Sequence, residues 1–128
     1  MVLAPADILL IHELLMTSFG GMRGITESGF GRLEGAAAAP SASAFGMEIF
    51  PSAREKAGAL CYAIMKAHPF SDGNKRVALV ALDMALDAAG LRLQASNHEA
   101  YSAIMALADG SMSREGLLDW LERHSTER

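Results

Sequence analysis

His68-Pro69-Phe70-Ser71-Asp72-Gly73-Asn74-Lys75-Arg76 is the stretch that decides how this chain is read. It gathers an imidazole, a carboxylate, a Gly-Asn turn and two adjacent cations, and an apolar stretch, Val77 to Ala89, follows without a break. A turn that runs into such a stretch starts a helix, and the positive end of a helix macrodipole attracts anions. Lys75 and Arg76 therefore stand where the dipole is already positive, at a cost of about 0.3–1 kcal/mol per exposed charge. A helix built only for stability carries Asp or Glu there. Two cations in their place imply an anion from outside the chain, and a phosphorylated ligand fits that description.

Outward from this run, 128 residues suffice for a single domain spanning 1–128 with a real core. Hydrophobic residues make up 51%, aromatic ones only 6%, and Ala, Leu and Met are prominent, a balance that favours helix over sheet. A formal charge of −4 argues against a general nucleic-acid binder. It leaves room for a local basic site made by Lys66, Lys75 and Arg76. No apolar run approaches the roughly 20 residues that span a bilayer. The N-terminus lacks a signal peptide's basic start, and Asp7 interrupts its apolar stretch. Cys61 is the sole cysteine, so no internal disulfide forms. The expected setting is the cytoplasm, with neither membrane nor nucleic acid as a direct partner.

Apolar spacing predicts a helix over 5–19, with Ile8, Leu9, Ile11, Leu14, Leu15 and Phe19 as its stripe and Gly20-Gly21 as its stop. A glycine-rich loop over 20–28 and an alanine-rich helix over 28–39 follow, the latter ending before Pro40. Ala44 to Phe50 reads either as an extended flap or as a connector with Phe45 and Phe50 plugged into the core. Ser52-Ala53-Arg54-Glu55 is a capping box that opens a helix to Ala67, with Ala53, Ala57, Leu60, Cys61 and Ile64 facing inward. The helix over 74–89 is apolar on nearly every side, which places it in the middle of a bundle. Ser96 to Glu99 is a second capping box, for a helix to about Ala108. Ser113 caps a last amphipathic helix, and His98 and His124 read as solvated.

Within the motif, His68 has the chemistry to take a proton from a hydroxyl near neutral pH. Asp72 reads two ways: as the helix N-cap, or as a carboxylate holding Mg²⁺ against nucleotide phosphates. Gly73 lets backbone approach a ligand, and Asn74 offers a side-chain amide, so the pair forms an anion cradle. Lys75 adds a mobile point charge and Arg76 a planar fork suited to phosphate oxygens. Phe70 anchors the loop in the core. Glu13 and Glu34 either brace the cations or are ordinary exposed helix charges, and His12 reads as structural.

This run resembles the signature of the Fic/Doc superfamily, His-x-Phe-x-Asp/Glu-Gly/Ala-Asn-Gly/Lys-Arg, and its Asn74-Lys75-Arg76 ending resembles the death-on-curing (Doc) branch. Fic adenylyltransferases usually have Gly in place of Lys75 and a second Arg where this chain has Leu79. Ile11-His12-Glu13, Gly20-Gly21 with Gly24-Ile25, Leu33-Glu34 through Pro40, and the Gly90 and Gly110 turns extend the likeness over nearly the whole chain. The resemblance implies an all-α, compact Fic/Doc-type helical bundle around a central buried helix, with a short flap. It further implies a toxin of a toxin–antitoxin system, a protein Ser/Thr kinase that moves the γ-phosphate of ATP onto a hydroxyl of a translation protein resembling elongation factor Tu. His68 is then the general base and Asp72 the organiser of Mg²⁺ and phosphate. Gly73, Asn74, Lys75 and Arg76 bind the phosphates, with Lys66 where Doc has a phosphate-binding arginine. Fic-type nucleotidyl transfer (AMPylation), or a catalytically silent nucleotide-binding regulator, are the alternatives. Self-restrained Fic proteins bear a Ser/Thr-x-x-x-Glu-Gly/Asn helix; the chain is expected to lack that sequence, so a cognate antitoxin is the expected restraint.

Overall fold

The computed structural model describes residues 2–128. Its helices are α1 (Pro5–Phe19), α2 (Glu27–Ala38), α3 (Ala53–Ala67), α4 (Asn74–Ala88), α5 (Asn97–Asp109) and α6 (Arg114–His124). α3 is the hub, packing against α2, α4, α5 and α6. Its start is fixed by the expected box: Ser52 Oγ accepts the Glu55 N–H at 3.1 Å, and Glu55 Oε1 accepts the Ser52 N–H at 3.2 Å. Ala57, Gly58, Ala59, Leu60, Cys61 and Ile64 are buried along it, whereas Ala53 is exposed. Small residues set the spacing here. A Cβ on Gly58 would lie 3.2 Å from Leu121 of α6, so glycine lets the two helices close up. Burial pushes the Cys61 thiol up to about 12, which leaves it inert near neutral pH.

α4 lies between α1 and α3, buried along Val77, Ala78, Ala81, Leu82, Ala85 and Leu86. Its apolar composition accounts for that position, except on one side. Met84 of α4 and Leu10 and Leu14 of α1 stay exposed along a groove of about 240 Å³ between the two helices. Leu60, Ile64, Leu86, Ile104, Leu117 and Leu121 are at most 2% exposed. Each such side chain contributes about 1.5–3 kcal/mol by leaving water.

Two antiparallel ribbons complete the chain. β1 (Ser43–Ala44) pairs with β2 (Met47–Glu48), Ser43 opposite Glu48. Phe45 at its tip is fully exposed with φ 53°, so this segment is a projecting flap rather than a core plug. β3 (Leu91–Leu93) pairs with β4 (Ser125–Glu127), Arg92 opposite Thr126, and is absent from the sequence reading. β4 is polar and is held by side chains from afar: Arg54 Nε donates to Ser125 Oγ at 2.7 Å, and Arg128 pairs with Asp87. His124 is half-buried, stacked on Trp120 with ring centroids 4.3 Å apart and 3.5 Å from Glu99, so it is not a solvated position.

Candidate active site

The loop His68–Gly73 joins α3 to α4 and is fixed from several sides. Phe70 is 2% exposed, and its ring lies flat on buried His12 of α1, with centroids 3.9 Å apart and planes 4° from parallel. His12 Nε2 sits 2.9 Å from the Asp72 carbonyl oxygen. A carbonyl only accepts, so that nitrogen carries the proton and the ring serves as a strut, in line with its structural reading. Asn74 Oδ1 accepts the Phe70 N–H at 3.0 Å while its Nδ2 donates to the Phe70 carbonyl at 2.8 Å. An isolated antiparallel bridge ties Ile25, in the loop between α1 and α2, to Phe70.

These contacts correct the cradle expected from sequence. The Asn74 amide is turned inward and closed on Phe70, because a buried loop residue has to satisfy both of its backbone groups. Its backbone N–H at the helix start is what remains for an anion. Gly73 does supply unusual backbone, φ +82°, and a Cβ there would come within 2.6 Å of Met16 Cε.

Asp72 is exposed, and each of its carboxylate oxygens meets a backbone N–H: Oδ1 that of Gly73 at 2.8 Å, Oδ2 that of Met22 at 3.1 Å. The Met22 N–H chiefly, then the Gly73 N–H, with the charges of Arg76 and His12 behind them, hold its carboxyl below the usual carboxylate range. The N-cap reading does not hold. Gly73 occupies the N-cap, and no side chain caps α4. Thr26, Ser52, Ser96 and Ser113 cap α2, α3, α5 and α6, whereas α1, whose Asp7 accepts the Ala4 N–H instead, shares the lack of a side-chain cap with α4.

That uncapped N-terminus opens on a cavity of about 610 Å³ lined by His68, Ser71, Asp72, Gly73, Asn74, Lys75 and Arg76, with Phe19 and Tyr101 also on its wall. Lys75 and Arg76 are both exposed, and neither forms an ion pair among the described residues. The Arg76 guanidinium lies 5.1 Å over the Phe19 ring, a contact that leaves its donors free. His68 is exposed at the same cavity. Lys66 is not brought to it: its ammonium lies 5.4 Å over the Tyr62 ring instead. Lys66 precedes the turn at His68, on a helix that ends before the chain reverses, and this separates two cations that look adjacent in sequence. Glu13 pairs with exposed Arg23 at 3.2 Å, and neither it nor Glu34 lines the cavity.

The run Ser111–Gly116 does fit the self-restraint pattern by spacing, with Glu115 as its glutamate. It opens α6, however, where Glu115 lies 3.5 Å from Arg114 beside Ile49 and Phe50, and it gives the cavity no carboxylate. Among the described residues no three His, Cys, Asp or Glu side chains gather as a metal site. Asp72 is the one carboxylate among the residues that line the cavity. Sequence reasoning missed Met22, whose contribution is a backbone N–H that carries no side-chain signal.

Comparison with known proteins places the chain in a family. A family model described as the Fic/DOC family matches residues 2–86. A protein named Toxin Doc from Mycolicibacterium smegmatis is 35% identical over 78 residues, which cover 61% of this chain and 58% of that relative. The chain thus spans less than two thirds of the relative's length.

Proposed function

The chain belongs to the Fic/DOC family, and on that premise we propose that it is the toxin of a toxin–antitoxin pair, a transferase moving the γ-phosphate of ATP onto a Ser or Thr hydroxyl of a translation protein. One observation carries this reading: the N-terminus of α4, which no side chain caps, bears two unpaired cations and faces a cavity shared with His68 and Asp72. The free N–H groups of the first turn, Lys75 and Arg76 supply donors and positive charge for a triphosphate.

In the proposed step the acceptor hydroxyl loses its proton to His68 as its oxygen bonds to the γ-phosphorus. The bond from that phosphorus to the bridging oxygen breaks, ADP leaves, and His68 passes the proton to solvent. Lys75 and Arg76 neutralise charge on the phosphate oxygens through the step. Mg²⁺ fits the donor set. Each Asp72 oxygen accepts one N–H and keeps a free lone pair, and magnesium is commonly held by one carboxylate plus phosphates and water. Bound there, it would neutralise phosphate charge.

The β1–β2 flap is the surface we assign to the protein substrate, held by strand addition along its exposed edge, with Phe45 and Met47 as apolar anchors. A cognate antitoxin would lay an amphipathic helix into the α1–α4 groove. No helix among the described residues is long and apolar enough to cross a membrane.

The test is incubation of the protein with cell lysate and ATP labelled at either the α or the γ position, alongside His68→Ala. Transfer of γ label alone, lost in His68→Ala, is the expected result. Transfer of α label would mean nucleotidyl transfer instead. Nucleotide binding with no His68-dependent label would mean a silent regulator.

A further inference from the structure

His68 is the last residue of α3's cap and adopts left-handed backbone, φ +48°. For a non-glycine residue that conformation costs about 1–2 kcal/mol, so the surroundings have to hold it. One side of the peptide is held locally, by the His68 N–H on the Ile64 carbonyl at 3.0 Å. The other side is held from α2. Arg32 Nε donates to the Ala67 carbonyl at 2.9 Å and Nη2 to the His68 carbonyl at 3.4 Å, while Nη1 reaches Ser28 Oγ at 3.3 Å. These are orphan carbonyls at the negative end of α3, where a guanidinium is favoured twice over, by hydrogen bonding and by charge.

Arg32 does not act alone. Gly29 and Arg32, three residues apart on α2, and Ile25, in the loop just before it, meet the His68 loop in reverse order. Arg32 takes Ala67 and His68, Gly29 takes Pro69, and Ile25 bridges Phe70. Gly29 packs so tightly that a Cβ would lie 2.3 Å from the Pro69 carbonyl oxygen. The start of α2 and the residue leading into it are therefore a splint laid along residues 67–70. Arg32 is its polar member, and among the described residues it pairs with no carboxylate.

We propose that Arg32 is a positioning residue for His68, fixing the direction in which the imidazole enters the cavity without itself touching the ligand. The assignment rests on the reading of His68 as the proton acceptor. A merely structural Arg32 would lower stability and leave His68's ring environment unchanged in the fraction that stays folded. A positioning Arg32 changes that environment specifically. Arg32→Lys keeps the charge at the end of α3 but cannot span two carbonyls, and Arg32→Gln keeps one donor without the charge.

The experiment records the ring ¹H–¹³C NMR signals of His68 and His12 in native protein, Arg32→Lys and Arg32→Gln, at a temperature where all three are folded. In parallel it measures ATP affinity and γ-label transfer, with Arg32→Gln/His68→Ala and His68→Ala included. The expected result is displaced or broadened His68 signals in both variants with His12 unmoved. ATP affinity should stay within about twofold while transfer falls by about a hundredfold, the scale expected of a misplaced reacting group. The double variant should transfer no more slowly than His68→Ala alone. Unmoved His68 signals, equal movement of His12, or additive losses in the double variant would overturn the assignment. If native protein transfers no label, the proposed reaction falls, and the NMR comparison still decides whether Arg32 places the ring.

Discussion

Replacing Asn74 by Ala separates two roles that the motif alone confounds, phosphate ligand and internal staple. In the structure the amide closes on both backbone groups of Phe70, a residue 2% exposed. Truncation leaves a buried N–H and a buried C=O without those partners, each worth about 1–3 kcal/mol. Some relaxation of the loop recovers part of this, so the expected loss is about 2–4 kcal/mol. An unfolding entropy of about 2.1 cal/mol/K per residue, over 128 residues, gives about 0.27 kcal/mol per degree. The midpoint should then fall by roughly 7–15 °C. Arg76→Ala is the contrast. Arg76 is exposed and without an ion pair, so its loss should leave the midpoint within about 2 °C and weaken ATP binding about tenfold, the value of one charge-assisted contact. Thermal unfolding followed by circular dichroism and titration calorimetry with Mg-ATP measure the two quantities. An Asn74→Ala protein that melts with the native one yet loses ATP affinity as Arg76→Ala does would refute the staple and restore Asn74 as a side-chain ligand.

Lys66→Ala should leave ATP affinity within about twofold, since its ammonium sits over Tyr62 and off the cavity; an equal loss to that of Arg76→Ala would place Lys66 in the site. Asp72, Glu99 and Asp109 are all held below their ordinary values, by the Met22 N–H, the Ser96 N–H and the Ser111 hydroxyl in turn. Each therefore stabilises the fold in full above about pH 5, and that stabilisation is lost progressively as pH falls from there through the depressed value. Urea unfolding of Glu99→Gln between neutral and strongly acid pH should show a flatter acid limb, and a limb parallel to the native one would contradict the assignment. A Cβ at Gly21, φ +129°, would lie 2.8 Å from Asp72 Oδ2 and 2.6 Å from Met16 Sδ. Gly21→Ala should thus raise the Mg²⁺ concentration needed for half-maximal label transfer, and an unchanged Mg²⁺ dependence would free Asp72 of that role. Leu14→Asp, on the exposed groove between α1 and α4, should abolish rescue of growth by the co-expressed antitoxin while toxicity persists; undiminished rescue would move the antitoxin elsewhere.

Helices were legible where one local signal dominates. Ser52 with Glu55 and Ser96 with Glu99 mark starts that the structure places at Ala53 and Asn97, because a capping box is a contact within four residues. Pro40 marked the stop: the alanine-rich α-helix ends at Ala38, before the proline, which a 3-10 turn, Ala39–Ser41, then takes in. The β3–β4 ribbon was not legible. Ser125-Thr126-Glu127 has no apolar alternation, and its place is set by Arg54 and Asp87, far off in sequence. In the site, the charges of Lys75 and Arg76 betrayed themselves by standing at the wrong end of a dipole. Lys66 and the Asn74 side chain were misplaced because spacing along the chain does not tell which way a residue points at a reversal of direction.

The loop carrying His68 shows why a site of this kind depends on the whole domain. It is bounded by left-handed residues, Gly73 at φ +82°, which glycine adopts freely, and His68 at φ +48°, which a non-glycine residue does not hold without support. α1 supplies His12 beneath Phe70, α2 supplies Gly29 and Arg32, the turn after α1 supplies the Met22 N–H, and α4 supplies Asn74. No single contact is worth more than about 1–3 kcal/mol, comparable to the strain it opposes. The geometry of the loop therefore exists only when α1, α2 and α4 are docked on the hub helix α3 together. A ligand that loosens any one of them, such as a helix wedged between α1 and α4, would disarm His68 without touching it.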